Sequence, residues 1–362
     1  MKQLAGSRGG EGKVHVSIGD VAVAAHVSTA TVSRAIRGLP RVNPATRARI
    51  LAIAEELGYV ASPSASGLAT GRTRTIGVVT PFVDRWYFAR SIEGLDKELR
   101  NNSYNLLLFS LGGYGRDRER LFNRNMVRKQ IDALVVLCLA LTPGELDHLH
   151  RTEIPLVAMG GPVTGCPSVR IDDGLAAAAA TQHLIDLGHR DIGHLLGGQE
   201  DELNFTVPRL RTLGFEETLL RAGLRPRPEW HIAGDYTVAN GVRAARRLFD
   251  APGPLPTAVF CASDEMALGL LFEAHRRGIR VPEDLSVIGI DDHEFSEAAG
   301  LTTIRQDPTE HGILAARMLM AELDGSPGAL TDQVVAHRLI RRSSTAPPRQ
   351  EAARTDRELS AS

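Results

Sequence analysis

Apolar residues recur at helical spacing over residues 17–57 and then, from residue 75 onward, in short unbroken runs separated by longer periodic stretches. The first pattern predicts three short helices. Ser17 stands as an N-cap with Asp20 three residues on, close to a capping box, and Ile18, Val21, Ala22 and Ala25 follow on one face. After the break at His26-Val27, Ser28 caps a second helix whose inner stripe is Val32, Ala35 and Ile36. Gly38-Leu39-Pro40 ends it. Asn43-Pro44 opens a third helix, with Asn as cap and Pro at the first helical position. Ile50, Leu51, Ala54 and Leu57 should line its inner face, and Gly58 closes it.

The second pattern is one of alternating strands and helices. Apolar runs at 75–80, 105–111, 133–137, 156–159, 191–196, 258–262 and 286–290 read as parallel strands buried on both faces. Helical stretches at 87–101, 117–129, 174–187, 208–222, 238–249, 264–278 and 308–323 lie between or after them. This grammar predicts an α/β body with parallel sheets, long enough for two lobes. Residues 61–74, rich in Ser, Gly, Ala and Arg, read as a linker. The polar stretches 1–15 and 346–362 are expected to be disordered tails.

Charge sharpens this division. The 362 residues carry a net charge of -1, but residues 1–75 alone hold +6 and the remainder -7. A basic head on an acidic body suggests that only the head meets a polyanion. Three widely spaced cysteines, Cys138, Cys166 and Cys261, argue against a disulfide framework or zinc knuckle and fit a reducing compartment. The longest apolar run, Ala133–Leu141, has nine residues, against the ~20 of a membrane span. The opening MKQLAGSRGGEGK lacks the apolar core of a secretion signal, so the expected location is the cytoplasm, with no membrane partner.

Two short helices joined by a tight turn, with a third packing on them, describe a helix-turn-helix. The second helix presents small and hydroxyl side chains that can enter a major groove. Arg34 can fork onto guanine, and Thr29 and Ala30 can touch base edges or a thymine methyl. Ser17, Ser28, Thr31 and Ser33 could donate to phosphates near helix N-termini. By pattern alone, a small helical bundle with ordinary caps remains the alternative. Enzymatic chemistry finds no footing: there is no phosphate-binding GxxxxGK[ST], GxSxG elbow or HExxH. No catalytic residue, cofactor or metal is expected. His148, His150, His183, His189 and His194 lack metal spacing and read as surface or capping residues.

Several blocks together resemble the lactose-repressor (LacI/GalR) family of transcriptional regulators. They include VSIGDVA and VSTATVSRAI within 16–36, RVNPATRARI at 41–50, EELGY at 55–59 and GRTRTIGVV at 71–79. They continue with IDD at 171–173, QHLI at 182–185, LGH at 187–189, ASDEMALG at 262–269, VPEDLSVIGIDD at 281–292 and LTTIRQ at 301–306. The resemblance spans about residues 16–345.

It implies a body like the periplasmic sugar-binding proteins: two Rossmann-like lobes joined by three crossovers, behind an all-α helix-turn-helix domain at 16–60. The effector-binding and dimerisation domain would be 75–345. Its first lobe would comprise about 75–172 and 308–336, and its second about 173–304 and 337–345. It implies a homodimer on near-palindromic double-stranded operator DNA, most simply a repressor, with a sugar-like effector in the cleft. In this reading residues 61–74 form a hinge helix on DNA, with Leu68 as the minor-groove wedge and Ala65 one turn before it. Ala61-Ser62, Ser66 and Gly67 depart from the family's hinge, and a Gly inside a helix costs ~1 kcal/mol. His26 stands where the family has the Gly of the turn, a position that favours positive φ. The effector contacts implied are Asp84, Trp86, Phe88, Arg211, Tyr236, Ser263, Asp291 and Gln306. Asp and Arg suit hydroxyls, and aromatic rings suit a sugar face. The competing expectation is a solute-binding or enzymatic α/β protein with an N-terminal protein-interaction bundle.

Overall fold

The computed structural model describes residues 16–59, 72–112, 118, 130–198, 206–326 and 328–349. The chain divides into two compact units at Thr73/Arg74. The proposed hinge residues Ala65 and Leu68, the acidic start of the loop after Gly198 and most of the helix expected at 117–129 lie outside the described residues.

The first unit contains α1 (Ile18–Ala24), α2 (Thr29–Ile36) and α3 (Pro44–Glu56). Ser17 and Asp20 form a reciprocal capping box: Asp20 N donates to Ser17 Oγ at 3.3 Å, and Ser17 N donates to Asp20 Oδ2 at 2.7 Å. Ser28 Oγ likewise accepts from Thr31 N at 3.2 Å. His26 adopts φ 50, the left-handed geometry that its place in the turn requires. The core is Val21, Ala22, Ala25, Val32, Ala35, Ile50 and Ala54. Two expected core residues are not in it: Leu51 and Leu57 are exposed. Ile50 and Ala54 already fill the inward i, i+4 stripe, so the next position along faces out, and Leu57 falls beyond the helix at its C-cap.

The second unit holds two six-stranded sheets. The first runs in the order β11-β5-β4-β3-β1-β2, comprising β1 (Thr75–Thr80), β2 (Asn105–Ser110), β3 (Ala133–Leu137), β4 (Leu156–Met159), β5 (Ser168–Arg170) and β11 (Gln333–Val334). The second runs β12-β10-β9-β8-β6-β7, comprising β6 (Ile192–Leu196), β7 (His231–Ala233), β8 (Ala258–Cys261), β9 (Ser286–Asp291), β10 (Thr302–Arg305) and β12 (Arg338–Ile340). All pairings are parallel except β10–β12. The chain passes from the first sheet to the second after β5, returns after β10 and leaves again between β11 and β12.

The central strands β3, β4, β6, β8 and β9 are buried throughout, as continuous apolar runs demand. β2 forms the sheet edge and is only partly covered. Five strands absent from the sequence expectation, β5, β7, β10, β11 and β12, are two to four residues long, too short to carry a periodic signal. An eight-residue helix at Pro143–His150 was also not anticipated; Thr142 and Glu145 build its capping box.

Helices cover both sheets and touch each other at small residues. α4 (Trp86–Asn101) and α10 (Pro308–Leu323) cross at Gly94 and Gly312, where an added Cβ would strike the carbonyls of Thr309 and Ser91. α6 (Asp173–Asp186) and α7 (Val207–Arg221) meet in the same way, with Gly214 against the Gly174 backbone. The last strand β12 leads into a segment that was expected to be part of a disordered tail. Residues 346–349 are instead ordered, and Ala346 exchanges hydrogen bonds with Ser286 and accepts one from His189 Nε2 at 2.9 Å. His183, His189 and His194 are buried rather than superficial. Their ring nitrogens meet Thr345 Oγ1, Thr257 Oγ1 and the Phe260 carbonyl respectively, and burial lowers each pKa.

The α4–α10 crossing leaves no room for a side chain. Gly312→Leu should therefore lower stability by ~3 kcal/mol through overpacking. Urea unfolding measures this directly, and an unchanged midpoint would mean that the two helices can separate without penalty.

Candidate functional sites

The first unit presents one face that its own core does not use. Thr29, Ala30 and Arg34 on α2 are exposed, while Thr31 and Ser33 are half-buried. The Arg34 carbonyl accepts from Leu39 N at 3.0 Å, while its guanidinium has no hydrogen bond or ion pair within the described residues. Other arginines of this unit are tied down: Arg47 donates to the Leu39 carbonyl at 2.7 Å and Arg49 to the Ala25 carbonyl at 3.2 Å. Ser17 and Ser28 are exposed, but their hydroxyls already serve as caps; Ser28 Oγ also lies 2.9 Å from Thr31 Oγ1. The result is a capped helix with a short-chain N-terminal end and a free guanidinium one turn on.

The second unit encloses a cavity of about 250 Å³ between the two sheets. Its walls come from segments that follow the strands. Phe82 follows β1, Cys138 follows β3 and Gly160 follows β4; on the other side Tyr236, Ser263 and Asp291 sit after β7, after β8 and at the end of β9. This is the carboxyl edge of both parallel sheets, where open α/β folds leave a crevice. Three of the lining residues hold left-handed or strained backbone: Cys138 at φ 52, Tyr236 at φ 66 and Asp291 at φ 135. Strain of this kind persists where surrounding structure enforces it, commonly at binding sites.

The deepest polar feature is a buried ion pair. Arg211 Nε and Nη2 both lie 2.8 Å from Asp173 Oδ1, and Nη1 donates to the Ala262 carbonyl. Burial works against the charge of Arg211, but Asp173, with Tyr236 and Asp291, outweighs it and holds the guanidinium protonated; burial itself pushes Asp173 up. Asp291 accepts from Gln306 Nε2 at 2.6 Å. Burial raises its carboxyl well above the ordinary range, with Arg211 opposing. Glu265, in the first turn of α9 (Asp264–Arg276), is pushed up to about 7, again by burial first. Ser263 caps that helix, its Oγ accepting from Met266 N at 3.3 Å.

Of the expected effector contacts, Phe88, Arg211, Tyr236, Ser263, Asp291 and Gln306 line the cavity together. Asp84 and Trp86 do not. They border an adjoining open cleft with Arg90, His293 and Glu294. The physical reason is the start of α4 at Trp86: the indole is directed onto His293, with ring centroids 5.0 Å apart, while Tyr87 and Phe88 turn inward. Around this cleft the lobes are tied by an Arg90–Glu294 ion pair and by Arg85 Nη1 donating to the Asp235 carbonyl at 2.7 Å. Sequence reading missed Asp173, Arg85, Tyr87, Asp235 and Glu265. Only Asp173 left a usable signal: a buried Arg211 demands a carboxylate, and Asp173 lies in the IDD block.

Comparison with known proteins follows this geometry. Residues 17–62 match the family described as bacterial regulatory proteins, lacI family, and residues 181–345 match the periplasmic binding protein-like domain. Catabolite control protein A of Priestia megaterium is 34% identical over 336 residues, covering 92% of this chain and 100% of that one. The structure of the transcriptional regulator CelR–cellobiose complex aligns with 31% identity and a TM-score of 0.66, covering 91% of this chain and 99% of that chain. The lac repressor dimer bound to operator and the anti-inducer ONPF aligns with 25% identity and a TM-score of 0.80, with the same coverage.

Asp173→Ala would leave the Arg211 charge buried and unpaired. It should cost ~3–5 kcal/mol of stability. Chemical unfolding of Asp173→Ala, Arg211→Ala and the double variant beside the parent protein gives the coupling between the two side chains, and additive losses would show that the pair does not act as a unit.

Proposed function

This chain belongs to the lacI family of bacterial regulatory proteins, and we propose that it is a repressor which reads a near-palindromic operator as a homodimer and changes DNA affinity when a carbohydrate-like ligand occupies the inter-lobe cavity. DNA-binding regulation under small-molecule control is the work of the family, and its relatives are regulators rather than enzymes. The observation that carries the reading for this chain is the exposed end of α2, where Thr29, Ala30 and the unengaged Arg34 stand clear of the core.

In the proposed complex Arg34 forks onto a guanine in the major groove while Thr29 and Ala30 touch neighbouring base edges. Ser17, Ser28, Thr31 and Ser33 approach phosphates; Ser17 and Ser28 do so through helix ends whose backbone N–H groups they already help to orient. Ala65 and Leu68 are assigned to the minor groove at the operator centre on the family resemblance alone. The strand order of the two sheets supports dividing 75–345 into two lobes. No helix among the described residues is long and apolar enough to cross a membrane, and we place the protein with its DNA in the cytoplasm.

Control follows from linkage. A ligand shifts operator affinity only if it binds the two closure states of the lobes unequally. The ties between Arg85 and Asp235 and between Arg90 and Glu294 belong to one such state. Cellobiose in the aligned regulator and the sugar-like ligand cleft of the family support a carbohydrate-like effector here.

The test is selection of bound sequences from a random DNA pool by the full-length protein. A palindromic consensus is expected, and removal of residues 1–73 should abolish enrichment. Arg34→Ala should cost ~1–3 kcal/mol on the selected site and relax preference at one base pair. An equal loss on every sequence would assign Arg34 to the backbone instead.

A further inference from the structure

The charge of the cavity narrows the chemistry of its ligand. Four carboxyl groups line it, those of Asp173, Asp235, Glu265 and Asp291, against the two guanidiniums of Arg85 and Arg211. Arg211 is engaged through all three of its nitrogens, Arg85 through Nη1 alone. Arg211 directs Nε and Nη2 at Asp173 and Nη1 at the Ala262 carbonyl. Arg85 donates to the Asp235 carbonyl and lies 3.6 Å above the Phe82 ring.

Two of the carboxyls have no such partner. Glu265 makes no hydrogen bond or ion pair with any described residue; Arg85 acts on it only through space. Asp291, buried to 6% exposure, accepts from one side-chain donor, the Gln306 amide. Asp291 feels the charge of Glu265. A carboxylate withdrawn from water without a cation or several donors is costly, and both groups respond by holding their protons more tightly. A phosphate or carboxylate entering this space would find Arg211 committed to Asp173 and the Arg85 charge already acting on Glu265, and would face these two acids. An ammonium group would find two acceptors, and Tyr87, Phe88 and Tyr236 line the same space with apolar surface suited to a compact ring.

We propose that the cavity takes a hydroxylated ring bearing a protonated amine, an amino sugar by chemical class, with its ammonium set against Glu265 and Asp291, and that it rejects phosphorylated sugars. This rests on the assignment of the cavity as the effector site. A charge-assisted contact to either acid favours the amine over its neutral counterpart by about tenfold or more.

Isothermal titration of the full-length protein tests it with three matched series: glucosamine, galactosamine and mannosamine, each beside its parent sugar, its N-acetyl derivative and its 6-phosphate. At least one amine should bind about tenfold tighter than its parent and N-acetyl forms, and the 6-phosphates should not bind. Glu265→Gln should bring that amine to the affinity of the parent sugar while the unfolding midpoint confirms an intact fold; Asp291→Asn supplies a second, nearly isosteric check. A parent sugar, N-acetyl form or 6-phosphate binding as tightly as the amine overturns the amine class, as does failure of all three amines to bind. Amine preference undiminished in both variants overturns this placement of the ammonium, and binding that also survives Tyr236→Ala unchanged overturns the cavity assignment itself.

Discussion

The buried pair of Arg211 and Asp173 sets the terms for the rest of the ligand-binding unit. Asp173 opens α6 immediately after the chain first leaves the first sheet, and Arg211 stands in the second turn of α7. With the Ala262 carbonyl at the end of β8, the pair joins three segments at the carboxyl edge of the second sheet. A charge in that position is tolerable only because its counter-ion and a carbonyl are both within reach. The same engagement removes Arg211 from service as a free anion receptor, and so gives the cavity its acidic character.

Around this anchor the fold concentrates its unusual backbone. Cys138, Tyr236 and Asp291 adopt positive φ where three strands run out into the cavity, and none of them is glycine. Rigid parallel strands and tightly crossed helices hold those conformations. The cavity is therefore a rigid rim on each lobe, and the adjustable part lies between the lobes, at Arg85, Trp86 and Arg90 and the groups they meet. A ligand that favours this closed arrangement biases the whole unit, because the contacts that tie the lobes lie beside those that line the cavity.

The DNA-reading unit obeys a different economy of parts. It is small, and its seven buried core residues are mostly Ala and Val. Caps supply definition where core volume is limited: Ser17 with Asp20, Ser28 with Thr31 and Asn43 with Ala45 each satisfy a helix N-terminus. Because α2 fully buries only Val32 and Ala35, its exposed Thr29, Ala30 and Arg34 stay available for a partner.

Local rules were enough to read much of this from sequence. Caps, the turn at His26, the periodic stripes and the long apolar strands depend on neighbours within a few residues, so Ser17, Ser28, Asn43 and the central strands were legible as they stood. Family blocks added the cavity residues Phe88, Arg211, Tyr236, Ser263, Asp291 and Gln306. Tertiary structure alone decided the remainder. The two- to four-residue strands exist only because a neighbouring strand of the sheet offers its hydrogen bonds. Trp86 and Tyr87 are adjacent in sequence, yet one packs on His293 outside the cavity and the other lines it, because the rotation of α4 is set by its crossing with α10. Asp173 and Arg211, 38 positions apart, become a single unit only when α6 and α7 pack together. Short-range preference determines elements; which charges meet, and which are left without a partner, is settled by packing across the whole chain.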